Sequence, residues 1–124
     1  MDFKPNYPIY LQVADFICEK VLTRTWLDND KLPSVKELSV TTSVNPNTVI
    51  KALGYLQDNN ILTTQRGIGY FLTEAAYQQT LELKRRQFIE DDIPALFANM
   101  KLLDVPIEQL ISLHAQKGLP DEKK

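Results

Sequence analysis

The chain has 124 residues, 44% of them hydrophobic, with 14 Lys and Arg against 16 Asp and Glu. This length fits one domain with a modest extension. The apolar runs are too short to span a membrane, and the N-terminus "MDFKPNYPIY" lacks the layout of a signal peptide, so we expect a cytoplasmic protein. The net charge of −2 does not by itself favour a nucleic-acid partner, because DNA-binding domains are usually basic.

The distribution of charge along the chain does not exclude a nucleic-acid partner. Residues 1–73 hold seven basic and seven acidic side chains, whereas residues 74–124 hold seven and nine. Any DNA-binding face must therefore arise from where the charged side chains lie on the fold.

A first helix is predicted over residues 8–25, with Pro8 in its first turn. Apolar side chains recur there at three- and four-residue steps, at Tyr10, Val13, Ala14, Ile17 and Val21. The residues 28–30 that follow are typical of a turn, and Asn29 is the best candidate for a left-handed backbone.

Two further helix starts follow closely. Ser34 and Glu37 have the spacing of a capping box, which opens a short second helix with weak intrinsic propensity. Asn45 is a favoured N-cap, and Pro46 suits the first position of a third helix. The third helix has an apolar stripe at Val49, Ala52, Leu53 and Leu56. Its opposite side carries Asn47, Lys51, Gly54 and Asp58.

Two β-prone runs, "ILTTQ" and "GYFLT", flank "RGIG" and predict a hairpin. Three helices followed by a hairpin form the outline of a winged helix-turn-helix, and the joint at residues 43–45 has the short length that this motif requires. The fold class is therefore mainly α with a small β-hairpin.

In such a fold, the third helix would lie in the major groove of DNA. Its N-terminal N–H groups suit phosphate oxygens, and Asn47, Thr48 and Lys51 could contact phosphates or base edges. Lys36 would lie over the flanking backbone, and Arg66 at the hairpin tip could enter the minor groove. Each feature also has a simpler explanation, such as an ordinary helix cap, a solvated lysine or a tight turn, and it is their joint placement that favours DNA binding.

No catalytic or metal-binding pattern stands out, and we predict a non-enzymatic protein without a cofactor. Cys18 lies in an apolar helical pattern, which indicates a buried thiol. His114 has no second metal-binding side chain paired with it. Helix capping accounts for the adjacent carboxylates of Asp91 and Asp92.

Residues 74–124 form a predicted helical extension. A long polar helix is interrupted near Asp91, Asp92 and Pro94, and a last helix with Ile107, Leu110 and Ile111 buried is predicted to end at Gly118 and Pro120. The extension is too short for a core of its own, so its apolar stripe predicts contact with a second copy of the chain. The residues assigned to this dimer surface are Tyr77, Leu81, Phe88, Leu96, Phe97, Met100, Leu103 and Leu110.

The segments "YPIYLQVADFI", "DKLPSVKELS", "VNPNTVIKAL" and "LQDNNILTTQRGIGYFL" resemble the GntR family of transcriptional regulators over roughly residues 7–72. The extension is similar to the short-tailed, YtrA-like subgroup. Some residues depart from the usual pattern. Lys36 and Pro46 stand where arginine is common, Ile50 replaces a frequently basic residue, Arg24 and Asn29 replace glycines, and Thr42 replaces a core leucine.

The resemblance implies a homodimer that binds a palindromic operator in double-stranded DNA, with residues 1–73 as the DNA-binding domain and residues 74–124 as the dimer surface. It places the DNA contacts on Lys36, Asn45, Pro46, Asn47, Thr48, Lys51, Arg66 and Gly67. It also implies a repressor, with an ABC-transporter operon as a candidate target and a small-molecule effector bound at the dimer interface or against the first helices. The alternative is a winged-helix module that contacts another protein and does not bind DNA.

Overall fold

The computed structural model describes residues 6–117, which form two compact units divided between Lys84 and Arg85. The elements are α1 (Ile9–Leu22), α2 (Val35–Thr42), α3 (Pro46–Asp58), β1 (Leu62–Gln65), β2 (Gly69–Leu72), α4 (Ala76–Gln87), a π-helical segment (Phe88–Asp92), α5 (Ile93–Leu102) and α6 (Ile107–Lys117). None of the helices in this part of the chain is long and apolar enough to cross a membrane. The predicted end of the last helix at Gly118 and Pro120 lies outside the described residues.

The first helix is confirmed, but it ends at Leu22, before the predicted residue 25. Arg24 has φ 61°, a left-handed conformation in which an α-helix cannot continue. The Thr23 hydroxyl donates to the Glu19 carbonyl at 2.8 Å, and the Thr23 N–H donates to the same carbonyl at 2.9 Å. The predicted left-handed Asn29 is confirmed, with φ 71°.

The capping box that opens α2 is also confirmed. The Glu37 N–H donates to Ser34 Oγ at 3.1 Å, and the Ser34 N–H donates to Glu37 Oε1 at 2.8 Å. Thr42 is fully buried, and its hydroxyl donates to the Leu38 carbonyl at 2.7 Å, so the core accepts a polar side chain in place of leucine.

Ser43 ends α2 and begins the joint to α3. Its φ of 58° places a non-glycine residue in the left-handed region, and its N–H donates to the Val40 carbonyl. A left-handed residue with a Cβ costs roughly 1–2 kcal/mol, part of which glycine avoids despite its larger loss of entropy on folding.

We therefore expect Ser43→Gly to raise the free energy of unfolding by about 0.5–1 kcal/mol in a urea titration. Ser43→Val is the matched variant and should lower it, because a branched Cβ is most strained at positive φ. A lower stability for the glycine variant would show that the hydroxyl makes a stabilising contact that outweighs the backbone strain.

The core of the first unit lies between α1, α2, α3 and the hairpin. It contains the predicted apolar stripe of α3, in which Val49, Ala52, Leu53 and Leu56 are all fully buried. The hairpin is antiparallel, with Leu62 opposite Leu72 and Gln65 opposite Gly69. The segment before α2 pairs with β2 as well, since the Leu32 N–H donates to the Tyr70 carbonyl at 2.9 Å. This third segment fixes the hairpin to the helical core.

The first unit extends beyond the predicted boundary at residue 73, because the start of α4 packs into its core. Ala76, Thr80 and Leu83 are buried, and Lys84 Nζ lies 2.7 Å from Asp15 Oδ1 on α1. The division between the compact units therefore falls eleven residues later than the sequence pattern indicates.

Tyr77 belongs to this first unit and is half-buried against its core. Its N–H donates to Asp28 Oδ1 at 3.0 Å, and the Arg24 guanidinium lies 3.6 Å from the centre of its ring. The arginine and the core thus cover part of a side chain that the sequence assigned to the dimer surface. Leu81 from that surface is also half-buried, whereas Phe88 is 54% exposed.

The second unit has no buried residue between Arg85 and Lys117. The expectation that Ile107, Leu110 and Ile111 are buried is wrong, since Ile107 is 46% and Ile111 62% exposed and Leu110 is half-buried. Two short helices and a π-helical segment are too small to enclose a core.

The predicted interruption near residues 91–94 is confirmed in the form of the π-helical segment. Pro94 lacks an N–H, so the carbonyl four residues before it loses its usual α-helical partner, and the local bonding shifts to the wider π pattern. The capping role assigned to Asp92 is not found. Asp92 has helical φ and ψ and its side chain makes no cap hydrogen bond.

Candidate nucleic-acid interface

The N-terminus of α3 is exposed and capped as predicted. Asn45 Oδ1 accepts from the Asn47 N–H at 2.8 Å, and Pro46 occupies the first turn. Because the cap uses the carboxamide oxygen of Asn45, the amide NH₂ is the part of this side chain that is left to contact DNA. Asn47 is exposed and Thr48 is half-buried, so the first turn offers polar side chains beside backbone N–H groups.

The outer face of α3 consists of Asn47, Ile50, Lys51, Gly54 and Asp58. Gly54 lies near its centre, and no atom is found within 4 Å of the place a Cβ would occupy. Another backbone can therefore approach the helix closely at this point. The face carries one basic and one acidic side chain, Lys51 toward the N-terminus and Asp58 at the C-terminal end. Its electrostatic potential is therefore more positive near the start of the helix than near its end.

Lys51 is exposed, and its ammonium group is held on one side of this face. Its Nζ lies 4.3 Å from the centre of the Tyr10 ring on α1. Tyr10 in turn meets Tyr55 edge-to-face, with 6.2 Å between ring centres and 76° between ring planes. The aromatic pair thus orders a lysine that would otherwise move freely, while leaving it accessible to an anion.

Lys36 lies on the first turn of α2 and is exposed. The neighbouring Glu37 is fixed by the capping box, in which hydrogen bonds from the backbone and side chain of Ser34 hold the pKa of its carboxyl below the usual value. A negative charge therefore accompanies Lys36 at neutral pH. The nearby carboxylate weakens the local positive potential that the sequence alone suggests.

The hairpin tip holds Arg66, Gly67 and Ile68, all exposed. Gly67 has φ 77° and allows the tight turn, while the Ile68 N–H donates to the Gln65 carbonyl at 2.9 Å. Arg66 is thus carried at the end of a short two-stranded arm, as the sequence predicts.

Sequence reasoning missed two residues at this site. Tyr10 was placed on the core side of α1, although its ring also reaches Lys51, a contact between helices that periodicity cannot indicate. Ile50 was noted only as a departure from a basic residue, yet it is 46% exposed on the outer face of α3. The three-residue step from Asn47 could have placed it on this face.

Groups that could support other chemistry are inert in this fold. Burial raises the pKa of the Cys18 thiol to about 12, which keeps it protonated at neutral pH. His114 is exposed on α6. Within residues 6–117, His, Cys, Asp and Glu form no group of three that could hold a metal ion.

Comparison with known proteins agrees with this geometry. The family profile described as "Bacterial regulatory proteins, gntR family" matches residues 9–72. The chain is 34% identical over 110 residues to the HTH-type transcriptional repressor YtrA of Bacillus subtilis (strain 168), covering 89% of this chain and 84% of YtrA. It is 32% identical over 109 residues to the HTH-type transcriptional regulator YhcF of the same organism, with 88% of each chain covered.

A solved structure of a GntR family transcriptional regulator from Listeria monocytogenes is similar over nearly its whole length. The TM-score is 0.75 at 32% identity, with 92% of this chain and 98% of that chain covered. The relatives are regulators and not enzymes, as the sequence predicts, and they favour DNA binding over a protein-contact module. The match over more than half of the residues and the shared architecture lead to one conclusion: the chain belongs to the GntR family of DNA-binding transcriptional regulators.

Proposed function

We propose that this protein is a homodimeric repressor that binds a palindromic operator, with α3 of each copy in the major groove. The observation that carries the proposal is the outer face of α3, which combines a capped, exposed N-terminus with an ordered but accessible Lys51 and open space at Gly54. In helix-turn-helix proteins the N-terminal residues of the second helix of the motif contact base edges. The repressor role is supported by the name of the relative YtrA.

The other contacts position the helix. Lys36 would neutralise a phosphate beside the groove, as a point charge in place of a two-pronged arginine. Arg66 and Gly67 at the hairpin tip would reach the adjacent minor groove, where an arginine side chain fits a narrow, electronegative floor. The proposed DNA partner places the protein in the cytoplasm.

The second unit would form the dimer surface. Residues 85–117 are helical apart from residues 103–106, yet none of them is buried, and large apolar side chains are exposed throughout. The most exposed are Leu102 at 80%, Leu103 at 68% and Ile111 at 62%, with Phe88, Ile89 and Phe97 all at 54%. Short helices of this kind are stable in water when their apolar faces are covered, and a second copy offers the same complementary surface.

Regulation would require an effector that shifts the equilibrium between free and bound repressor. Residues 85–117, the described part of the chain beyond the first unit, contain no buried residue, so we place such a small molecule at the dimer interface or against the first helices. An ABC-transporter operon as the target stays a prediction from the resemblance.

A nuclease footprint on the DNA upstream of the protein's own gene tests the proposal. We expect protection of one segment with two symmetric halves, since each copy carries one α3. The centres of the halves should be separated by about one helical turn of DNA or a multiple of it. Protection of a single unrepeated half would contradict the dimer, and uniform cleavage at every protein concentration would contradict operator binding.

A further inference from the structure

Ile50 is an unexpected side chain on the outer face of α3. It shares the exposed side of the helix with Asn47 and Lys51 and is 46% exposed. Within α3, all of which the structure describes, it is the one large apolar side chain that is exposed, while Val49, Leu53 and Leu56 are fully buried. Ile50 therefore does not serve the core of its own unit.

Its position relative to the other residues of the face is fixed by helix geometry. At 100° per residue, Ile50 lies about 60° from Asn47 and about 100° from Lys51 around the axis, with Gly54 one turn further on. Lys51 leans toward Tyr10 on α1, and Ile50 lies on the opposite flank of the face. The polar side chain of Lys51 and the apolar side chain of Ile50 thus lie on opposite flanks of the face, with the open space at Gly54 between them.

The side chain is also well suited to make a specific contact. A β-branched residue in a helix has one strongly preferred χ1 rotamer, so Ile50 is already ordered before it meets a partner. At an exposed helical position isoleucine has lower helix propensity than lysine, arginine or alanine, so the local helix gains nothing from it.

We propose that Ile50 is a specificity-determining residue that contacts the C5-methyl group of a thymine in each half of the operator. This inference rests on the proposed function, since it requires α3 to lie in the major groove. Thymine carries the only methyl group among the four bases on the major-groove floor, and apolar side chains recognise it there. The residue lies in the N-terminal half of α3, where such helices contact base edges.

Replacement of thymine by deoxyuridine tests the contact, because it removes this methyl group and leaves every hydrogen bond of the base pair intact. The probe is a duplex of the footprinted upstream segment, with each thymine replaced in turn and the Kd measured by fluorescence anisotropy. We expect a thymine in each half whose replacement weakens wild-type binding about three- to fivefold, the value for one buried methyl group.

Variants then assign the effect to the side chain. With Ile50→Ala the same replacements should have no effect, and with Ile50→Val they should retain part of it. Val40→Ala is the matched control, because Val40 is a 74% exposed apolar residue on α2, and it should leave the deoxyuridine effect at its wild-type size. Melting temperatures of all three variants show whether the fold is unchanged.

The outcomes separate this inference from the function on which it rests. Binding that no single deoxyuridine weakens overturns the thymine contact while operator binding stands. A deoxyuridine effect of equal size in wild type and Ile50→Ala also overturns it, because another side chain then contacts the methyl group. Failure to protect any upstream segment overturns both the operator binding and the contact.

Discussion

Replacement of Phe97 by aspartate is expected to make the protein monomeric and to weaken operator binding by about a hundredfold or more. Phe97 lies on α5 and is 54% exposed in the isolated chain, so the substitution leaves the core of the first unit untouched. In a dimer it would place a carboxylate in an apolar interface, and burial of an unpaired charge is strongly unfavourable. The monomer then loses the gain in affinity that comes from linking two half-site contacts.

Sedimentation velocity and anisotropy on the footprinted duplex measure the two effects. Ala98→Asp is the control, since it introduces a carboxylate on the same helix at an exposed position that lies about 160° from Leu96 and from Met100 around the axis. It should sediment and bind DNA as the wild type does. A Phe97→Asp protein that remains dimeric would remove this face of α5 from the interface.

Lys51→Ala is expected to lower DNA affinity by about tenfold or more, with little change in melting temperature. The ammonium group lies over Tyr10 and is exposed, so its loss removes a surface cation–π contact worth about 0.5–1 kcal/mol along with the DNA contact. The dependence of this loss on the DNA sequence shows which group of the DNA Lys51 contacts. A phosphate contact weakens binding to all duplexes equally, whereas a guanine contact weakens binding to the operator alone.

Lys20→Ala is a closely matched control. Lys20 also lies over an aromatic ring, that of Phe16, at 5.3 Å, and it lies ten residues from Tyr10 along the same helix, about 15 Å away. Its loss changes the net charge equally and should leave DNA affinity near the wild-type value. Equal losses from both variants would mean that bulk charge, and not the position of Lys51, determines binding.

The elements of the first unit could be predicted because local chemistry decides them. Asn45 with Pro46 marks a helix start, Ser34 with Glu37 marks another, and the buried stripe of α3 follows from spacing alone. The same periodicity placed Asn47 and Lys51 on an exposed face. These features depend on residues a few positions apart, which is the range over which a sequence pattern carries structural information.

Features that depend on distant residues could not be predicted. The ring of Tyr10 meets Lys51 only because α1 packs on α3, and α4 joins the first unit because Ala76, Thr80 and Leu83 pack into its core. The apolar residues of α6 show that periodicity also cannot predict burial. Periodicity identifies Ile107 and Ile111 as one face but does not say whether the chain itself covers that face, and here both are exposed.

The salt dependence of binding to the upstream DNA segment tests the central claim most directly. If the outer face of α3, Lys36 and Arg66 contact phosphates in both copies, log Kd should rise steeply with log salt, by about 0.9 for each phosphate neutralised. Binding should be tight at low salt, and Lys51→Ala should reduce the slope if Lys51 contacts a phosphate. Absence of binding at low salt, or a Kd that does not change with salt, would contradict the account.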